Sequence, residues 1–242
     1  MSGDVQAVAR ADALLDLLRS GPLGISDLAA GLALSAGTVH RLARTLVSLG
    51  LARQLDDRRY ALGARLVPLG MAAHEQLGAR ARPILVQLTR RFEESANLAA
   101  LNAGGAEYVA QVAGPHAMRM FTEVGRRVPL HATGVGKAML STMSDDAVLD
   151  LLGREGMAAF TPRTLVDPQR MLAELARIRR RGYAIDDDEM EVGVRCVAVP
   201  FRGTALMAVS VSGPSGRFTA QAAAAAAPEV ATAAERLALL FA

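Results

Sequence analysis

The hydrophobic pattern of the first fifty residues predicts three short helices. Residues 5–20 carry apolar side chains at helical spacing. Ser26 predicts the N-cap of a second helix, and Ser35 predicts the N-cap of a third, over residues 36–49. In the third helix apolar residues share one face, while basic and hydroxyl residues occupy the others, so this helix is amphipathic.

Two short strands and a connector are predicted next. Residues 51–62 hold two short apolar stretches around a polar turn at 56–58, which predicts a hairpin. Residues 63–76 return to helical spacing and predict a connecting helix. We expect the domain boundary near 77–82, because Pro83 should begin or redirect a longer helix.

The rest of the chain mixes strands and helices without a strict strand–helix alternation. This pattern favours an α+β domain with an antiparallel sheet over a doubly wound fold. The predicted strands cover residues 97–102, 106–112, 118–122, 183–186, 192–201 and 204–212, and the predicted helices cover 134–142, 145–152, 168–181 and a segment that begins at Thr219.

The composition argues against a membrane protein and against a secreted, disulfide-bonded protein. The longest apolar runs are broken well before the roughly 18 residues that a membrane span needs. The N-terminal segment has no apolar core typical of a secretion signal. Cys196 is the only cysteine, so an intramolecular disulfide framework is excluded. We therefore expect a cytoplasmic protein with no membrane partner.

The distribution of charge suggests a nucleic-acid partner. The whole chain carries a net charge of only +3. Residues 35–65 contain six arginines against two acids, a local excess of +4. Because the basic residues concentrate on the third helix and the following hairpin, this region is the candidate DNA-binding surface.

Two short helices with a tight break, the second one basic, are typical of a helix-turn-helix, and the hairpin predicts a wing. The apolar face of the second helix would anchor it, and its polar face would enter the major groove of double-stranded DNA. A three-helix core with a merely solvated basic face is the alternative. The predicted DNA-binding residues are Thr38, His40, Arg41, Arg44, Thr45, Arg58 and Arg59.

Three motifs in the second half carry a family resemblance. Residues 125–140 read GRRVPLHATGVGKAML, residues 182–200 read GYAIDDDEMEVGVRCVAVP, and residues 208–214 read AVSVSGP. In this order and spacing they resemble the effector domain of the IclR family of bacterial transcriptional regulators. The segment SDLAAGLALSAGTVHRLARTLVSLGLARQ resembles the winged helix-turn-helix of that family, so the resemblance covers roughly residues 5–240.

The resemblance implies a GAF-like sensor domain, an antiparallel sheet flanked by helices around a pocket for a small organic effector. It also implies dimers or tetramers on palindromic operators. The implied domains are a winged helix-turn-helix over residues 1–62, a linker helix region over 63–82, and an effector-binding and oligomerisation domain over 83–242. The effector contacts that it implies are an apolar wall at Met120, backbone donors at Gly134 and Val135, and the side chains of Asp186, Cys196, Ser210 and Ser212.

The residues themselves agree with a pocket for an acid. Ser210 and Ser212 share one strand face, and a turn near Gly203 would place Cys196 roughly opposite Ser210. Free N–H groups of the glycine-rich turn before a helix would suit an anionic oxygen. Asp186 opposes a nearby carboxylate, so a hydroxy or keto group of the effector facing Asp186 would ease the conflict.

Each of these residues also has a purely structural interpretation. The two serines would then bond the neighbouring backbone, and Cys196 would be a small core residue. His131 is expected to bond a nearby loop, and Lys137 is expected to form a structural salt bridge. Residues 187–189 read as a solvated acidic turn.

Three rival functions stay open at this stage. An enzyme would use His131, Asp186 and Cys196 as a nucleophile, base and orienting set, but no nucleophile motif accompanies them. A metal-responsive regulator would use the same three side chains as ligands, without a paired-ligand spacing to support it. A protein-interaction scaffold would keep the winged helix for protein contacts. We expect a homo-oligomeric repressor that binds a carboxylic or aromatic acid, without a cofactor, a metal or catalytic residues.

Overall fold

The computed structural model describes residues 5–102, 105–119, 123–203 and 205–242, which form two compact units, Met1–Ala73 and His74–Ala242. Among the described residues, no helix is long and apolar enough to span a membrane. The mixed α+β class expected from the sequence is confirmed. The helices are α1 Gln6–Leu17, α2 Ile25–Leu32, α3 Ala36–Ser48, α4 Leu66–Phe92, α5 Gly134–Leu140, α6 Asp145–Glu155, α7 Pro168–Arg181 and α8 Ala220–Phe241. The strands are β1 Ala52–Gln54, β2 Tyr60–Leu62, β3 Ser95–Asn102, β4 Gly105–Val112, β5 Arg127–Val128, β6 Ala184–Asp187, β7 Val194–Arg202 and β8 Leu206–Pro214.

The N-terminal unit packs three helices and a hairpin around one small core. Its buried side chains include Leu14 from α1, Leu28 from α2 and Val39 from α3. The antiparallel pair β1–β2 contributes the buried ring of Tyr60, and the backbone of Tyr60 also bridges to Leu23. The predicted hairpin is therefore present, and it is fixed to the helical core at both strands.

The start of the second helix differs from the sequence prediction. Ser35 caps α3 as expected, because its hydroxyl accepts a hydrogen bond from the Thr38 N–H. Ser26, however, is not the cap of α2, which begins at Ile25 after Gly24. The carboxylate of Asp27 accepts a hydrogen bond of 3.2 Å from the N–H of Gly24. The side chain of Asp27, at the third position of the helix, thus provides the hydrogen-bond acceptor for the free N–H group at the start of α2. A search for a capping serine or threonine before the helix does not find this arrangement.

The connector is one helix instead of two. Helix α4 runs from Leu66 to Phe92 and continues through Pro83, where we expected a second helix to begin or the chain to change direction. A proline removes one backbone hydrogen bond, but the turns that follow are stabilised by burial of Ile84, Leu85 and Leu88 in the core of the second unit. Packing of this apolar face outweighs the local cost of the proline.

The C-terminal unit is built on a six-stranded antiparallel sheet with the order β5-β4-β3-β8-β7-β6. Residues of α4 and α8 share one hydrophobic cluster with one face of this sheet. Residues of α5, α6 and α7 share a second cluster with the other face. Successive side chains of β7 alternate between the two clusters. Val197 and Val199 belong to the first cluster, and Cys196 and Ala198 belong to the second.

The register of two strands decides which side chains face α5. Cys196 pairs with Ser212, and Ala198 pairs with Ser210, so the predicted position of Cys196 opposite Ser210 is wrong by two residues. A shift of two keeps the same face, because side chains alternate with a period of two. The expected strand at 118–122 lies partly outside the described residues, and its described part, Met118 and Arg119, is not a strand.

A β-bulge between β3 and β4 has a direct effect on the same face. The pairing shifts between Leu98 and Ala99, so that Leu98 faces Ala110 while Ala99 faces Tyr108. The extra residue, Val109, reverses the alternation along β4. Tyr108 therefore packs with the α5 side of the sheet, whereas Ala110 packs with the α4 and α8 side.

Candidate functional site

A small cavity of about 40 Å³, lined by both polar and apolar residues, lies on the α5 side of the sheet in the C-terminal unit. It has room for a few water molecules, so its size suits a compact ligand. Strands β4 to β8 contribute to it, together with the start of α5 and the segments before β5, before α5 and after β6. The lining residues are Tyr108, Arg126, Val128, Thr133, Gly134, Asp186, Met190, Glu191, Val194, Cys196 and Ser212.

A buried hydrogen-bond network supports the sheet side of the cavity. The side-chain amide of Asn97 donates to Ser212 Oγ at 3.0 Å and to Ser210 Oγ at 3.3 Å. Gln111 Nε2 in turn donates to Asn97 Oδ1 at 3.0 Å. Because each serine oxygen already accepts a hydrogen bond, its own proton is directed elsewhere. Ser212, which lines the cavity, can therefore offer an O–H donor to a ligand.

Asp186 is the acidic group most deeply set in this cavity. Its carboxylate accepts a hydrogen bond of 2.9 Å from the Glu189 N–H. Burial nevertheless raises the pKa of Asp186 to about 7, because desolvation outweighs that bond and the nearby Lys137 ammonium. Near neutral pH the group exists in both forms, so it can either accept or donate a hydrogen bond.

Cys196 and Gly134 lie close together in the wall of the cavity. Burial and the neighbouring Asp186 raise the pKa of the Cys196 thiol to about 12, so the group stays a neutral thiol at physiological pH. A Cβ on Gly134 would lie 2.9 Å from the Cys196 sulfur. The first position of α5 therefore needs glycine, because the helix start and β7 approach each other closely here.

The acidic segment at the end of β6 is held by ion pairs, of which the one between Lys137 and Glu189 is buried. Lys137, which is 1% exposed, forms an ion pair with Glu189. Asp187 pairs with Arg195 and with Arg163. The expected salt bridge of Lys137 is present, whereas the interpretation of residues 187–189 as a solvated turn is wrong. Long basic side chains from three different segments reach these acidic residues, which no local pattern could show.

The candidate DNA-binding surface lies on α3 in the N-terminal unit. Helix α3 buries Val39, Ala43 and Leu46 and exposes a continuous polar face. Arg41 and Arg44 lie on that face, and among the described residues neither one forms an ion pair. His40 and Arg44 line a groove towards the wing, and Thr38, Arg41 and Thr45 line a groove towards α1.

The other predicted DNA contacts are partly occupied within the protein. The Thr45 hydroxyl donates to the Arg41 carbonyl at 3.0 Å, and the Thr38 hydroxyl lies 3.0 Å from that of Ser35. At the wing, Arg59 pairs with Asp57 at 2.7 Å. Arg58 has a positive φ of 65° at the turn and forms no ion pair within the described chain. Of the predicted DNA contacts, Arg41, Arg44 and Arg58 are thus the arginines without an ion pair among the described residues.

Comparison with known families and proteins gives the same assignment for both units. Residues 7–56 match the IclR helix-turn-helix domain, and residues 70–239 match the C-terminal domain of bacterial transcriptional regulators of the IclR type. The chain is 35% identical to the transcriptional repressor IclR of Escherichia coli K12 over 233 residues, which cover 90% of this chain and 83% of that protein.

This chain belongs to the IclR family. Its members are transcriptional regulators that bind DNA through the helix-turn-helix, and the chain is therefore a regulator rather than an enzyme.

Solved structures of the family share the fold. A regulator of the IclR type from Silicibacter sp. TM1040 superposes with a TM-score of 0.76 at 26% identity, covering 97% of this chain and 96% of that one. An IclR homologue from Microbacterium hydrocarbonoxydans, solved in complex with 4-hydroxybenzoate, has a TM-score of 0.62 at 23% identity, with 97% and 100% coverage.

In this IclR-family regulator the cavity collects only part of the predicted effector set. Gly134, Asp186, Cys196 and Ser212 line it. Ser210 and Val135 are not among the lining residues. Ser210 supports the wall through Asn97, the Val135 side chain lies in the core, and the backbone donor expected at Val135 stays a prediction. Met120 lies outside the described residues. Sequence reasoning did not single out the other lining residues, of which Tyr108, Arg126, Thr133 and Glu191 are polar; all of these except Tyr108 lie within the quoted motifs.

His131 lies apart from the cavity. Its Nε2 is 2.9 Å from the Ala158 carbonyl, and its ring is near Phe160. This agrees with the structural role expected for it, and it removes the imidazole from the set that an enzyme or a metal sensor would need with Asp186 and Cys196. Among the described residues, no cluster of three or more His, Cys, Asp or Glu side chains is arranged to hold a metal ion.

Proposed function

We propose that this regulator is a repressor that binds operator DNA through α3 and the wing and is released by a small organic acid in the cavity beside Asp186. The observation that carries the proposal is the composition of the cavity. A serine hydroxyl supported by Asn97, a buried carboxyl group and a glycine-rich turn meet in one enclosed space.

Repression is supported by relatives. The similar protein from Escherichia coli is a transcriptional repressor. Release follows if the acid binds the DNA-free state more tightly than the DNA-bound state, and a coupling of about 1–3 kcal/mol is sufficient. Since the target is genomic DNA, we place the protein in the bacterial cytoplasm.

An organic acid is supported by the donors of the cavity. The Ser212 hydroxyl is a suitable donor for a carboxylate or a carbonyl oxygen. Asp186 favours a ligand that also carries a hydroxyl or keto group. The related fold from Microbacterium hydrocarbonoxydans binds 4-hydroxybenzoate, an acid with both kinds of group. An aliphatic acid fits the small volume of the cavity better than an aromatic ring does.

We further propose that two or four copies of the chain act together. A palindromic operator presents two half-sites, which two winged helices would occupy. Helix α4 contributes residues to both units, so it is the element through which the cavity would change the separation of the winged helices. In this proposal residues 1–62 bind DNA, 63–82 connect, and 83–242 bind the effector and the other copies.

The test is fluorescence-anisotropy binding of the full chain to the DNA upstream of its own gene, across a salt series and with a panel of small carboxylic and aromatic acids. Tight binding that depends on DNA sequence and is weakened by one class of acid is the expected result. A control fragment of equal length and random sequence measures the nonspecific component, which falls steeply with salt.

Two results would count against the proposal. Equal affinity for the upstream fragment, other genomic fragments and random DNA would favour the protein-interaction scaffold. Binding to the operator that responds to zinc and not to any acid would favour the metal-responsive alternative.

A further inference from the structure

Arg126 is the basic residue at the mouth of the cavity. It is exposed and lines the cavity, and among the described residues it forms neither a side-chain hydrogen bond nor an ion pair. Backbone hydrogen bonds fix its position beside β4, since the Tyr108 N–H donates to the Arg126 carbonyl at 3.1 Å and the Gly125 N–H donates to the Tyr108 carbonyl at 2.7 Å.

Arg127 is a natural contrast to its neighbour. The guanidinium of Arg127 pairs with Glu155 at 2.7 Å and belongs to a different depression of the surface. Two adjacent exposed arginines therefore differ in their contacts, because Glu155 holds Arg127 while no acid among the described residues pairs with Arg126.

The interior of the cavity disfavours a negative charge. Asp186 is buried there, and a carboxylate placed against it would add to the cost of burying two acids together. Tyr108, which is 8% exposed, also lines the cavity, and its hydroxyl has no hydrogen-bond partner within the described ranges. The interior thus offers hydroxyl groups and one carboxyl group, which suit a neutral polar group of the ligand.

The mouth of the cavity is the better place for the charge of the ligand. A carboxylate there keeps part of its hydration and can form a bidentate pair with a guanidinium. Glu191, also exposed and at the lining, is the acid that faces the same opening. Its repulsion limits the negative charge of a ligand, so a monoanion is favoured over a dicarboxylate.

We propose that Arg126 binds the carboxylate of the effector, and that the effector is a small hydroxy acid whose hydroxyl group is directed inwards to Asp186. This inference rests on the proposed function, because it takes the cavity as the effector site. It makes Arg126, which lies within the motif of residues 125–140, a specificity-determining residue that the resemblance did not single out.

The experiment is isothermal titration calorimetry of the full chain with three ligand sets. Glycolate, 3-hydroxypropanoate and 4-hydroxybenzoate are each compared with the corresponding acid without the hydroxyl group and with the corresponding hydroxy amide. The proteins are the wild type, Arg126→Gln and the matched control Arg127→Gln. Operator binding of each protein is measured separately by anisotropy.

The expected result is that at least one hydroxy acid binds the wild type about tenfold more tightly than its amide and than its hydroxyl-free acid. Arg126→Gln should lose the preference for the acid over the amide and retain the preference for the hydroxyl group. Arg127→Gln should retain both. Arg127→Gln alone should lower the thermal midpoint, since only Arg127 has a salt bridge to lose.

Two outcomes would overturn the inference. One is an acid-over-amide preference that persists in Arg126→Gln, and the other is a wild type that binds none of the hydroxy acids. In both cases the proposed function is retained if another acid weakens operator binding. If the protein binds no operator and responds to no acid, the proposed function itself is contradicted.

Discussion

At the scale of single residues, the chemistry of the cavity depends on a carboxyl group that is costly to ionise. Asp186 is buried, and the hydrogen bond from the Glu189 N–H does not compensate for the lost hydration. Raising the pKa to about 7 means that the folded state holds a proton that the unfolded chain releases near pH 4. The folded state therefore loses stability as the pH rises from about 4 to about 7.

Asp186→Asn is expected to stabilise the protein at pH 8. The amide keeps a carbonyl acceptor for the Glu189 N–H and removes the buried charge. Each pKa unit corresponds to about 1.4 kcal/mol, so the free energy of unfolding should increase by a few kcal/mol at pH 8 and by less at pH 5. Urea unfolding at the two pH values measures this, and Asp150→Asn, on the exposed side of α6, is the control. An equal effect at both pH values would contradict the assignment.

Ser212→Ala is expected to weaken the response to the effector more than Ser210→Ala does. Ser212 lines the cavity, whereas Ser210 lies behind it and shares Asn97 as donor. Loss of one hydrogen bond to an anionic ligand corresponds to about tenfold in affinity. The acid concentration that halves operator binding is the measured quantity, and a larger effect of Ser210→Ala would place the ligand elsewhere.

At the scale of elements, α3 combines anchoring and recognition on one short helix. Its apolar residues fix it against α1 and α2, and the guanidinium groups on its outer face have no acidic partner among the described residues. At the wing, Asp57 holds Arg59, and the N–H and side chain of Arg59 lower the pKa of Asp57. The wing acid thus stays ionised and keeps Arg59 less available to phosphate than Arg58.

Arg44→Ala is expected to weaken operator binding by about 1–3 kcal/mol while leaving the affinity for the acid unchanged. Arg59→Ala should cost less, because its charge is already paired within the wing. Arg154→Ala on α6 controls for the loss of one positive charge far along the chain. Anisotropy titrations at two salt concentrations separate base contacts from phosphate contacts, and equal binding by Arg44→Ala would remove this residue from the recognition surface.

Helix α4 shows how packing decides the limits of an element. Pro83 and the preceding turns read locally as a helix boundary, yet the helix continues to Phe92. Leu85 and Leu88 on the following turns are buried against the sheet. Helix α4 therefore supplies residues to both units, and burial of its second half sets its length.

At the scale of the whole molecule, the proposed regulation requires two winged helices at a fixed separation. Inserting five base pairs between the half-sites rotates one of them by about half a helical turn. We expect this change to lower the affinity of the wild type at least tenfold, while an insertion of ten base pairs lowers it less. Electrophoretic mobility shift with the three operators measures the effect. Equal affinity for all three would indicate that each half-site binds a winged helix independently.

The sequence by itself determined the family, most of the helices and strands, and three of the polar groups of the site. Three motifs at fixed spacing identified the sensor domain, and the Ser35 cap with the apolar face behind it identified α3. These signals are local, because caps, periodicity and motif residues are fixed by neighbours in the chain. Asp186, Cys196 and Ser212 followed from the motifs, and all three line the cavity.

The tertiary structure alone decided which of these groups share a space. The bulge at Leu98 and Ala99 turns Tyr108 towards the cavity, and the register of β7 and β8 pairs Cys196 with Ser212 instead of Ser210. The same packing removed Ser210 from the lining and brought Arg126 to the mouth. Strand register and bulges depend on contacts between distant segments, and a slip of one residue moves a side chain to the opposite face of the sheet.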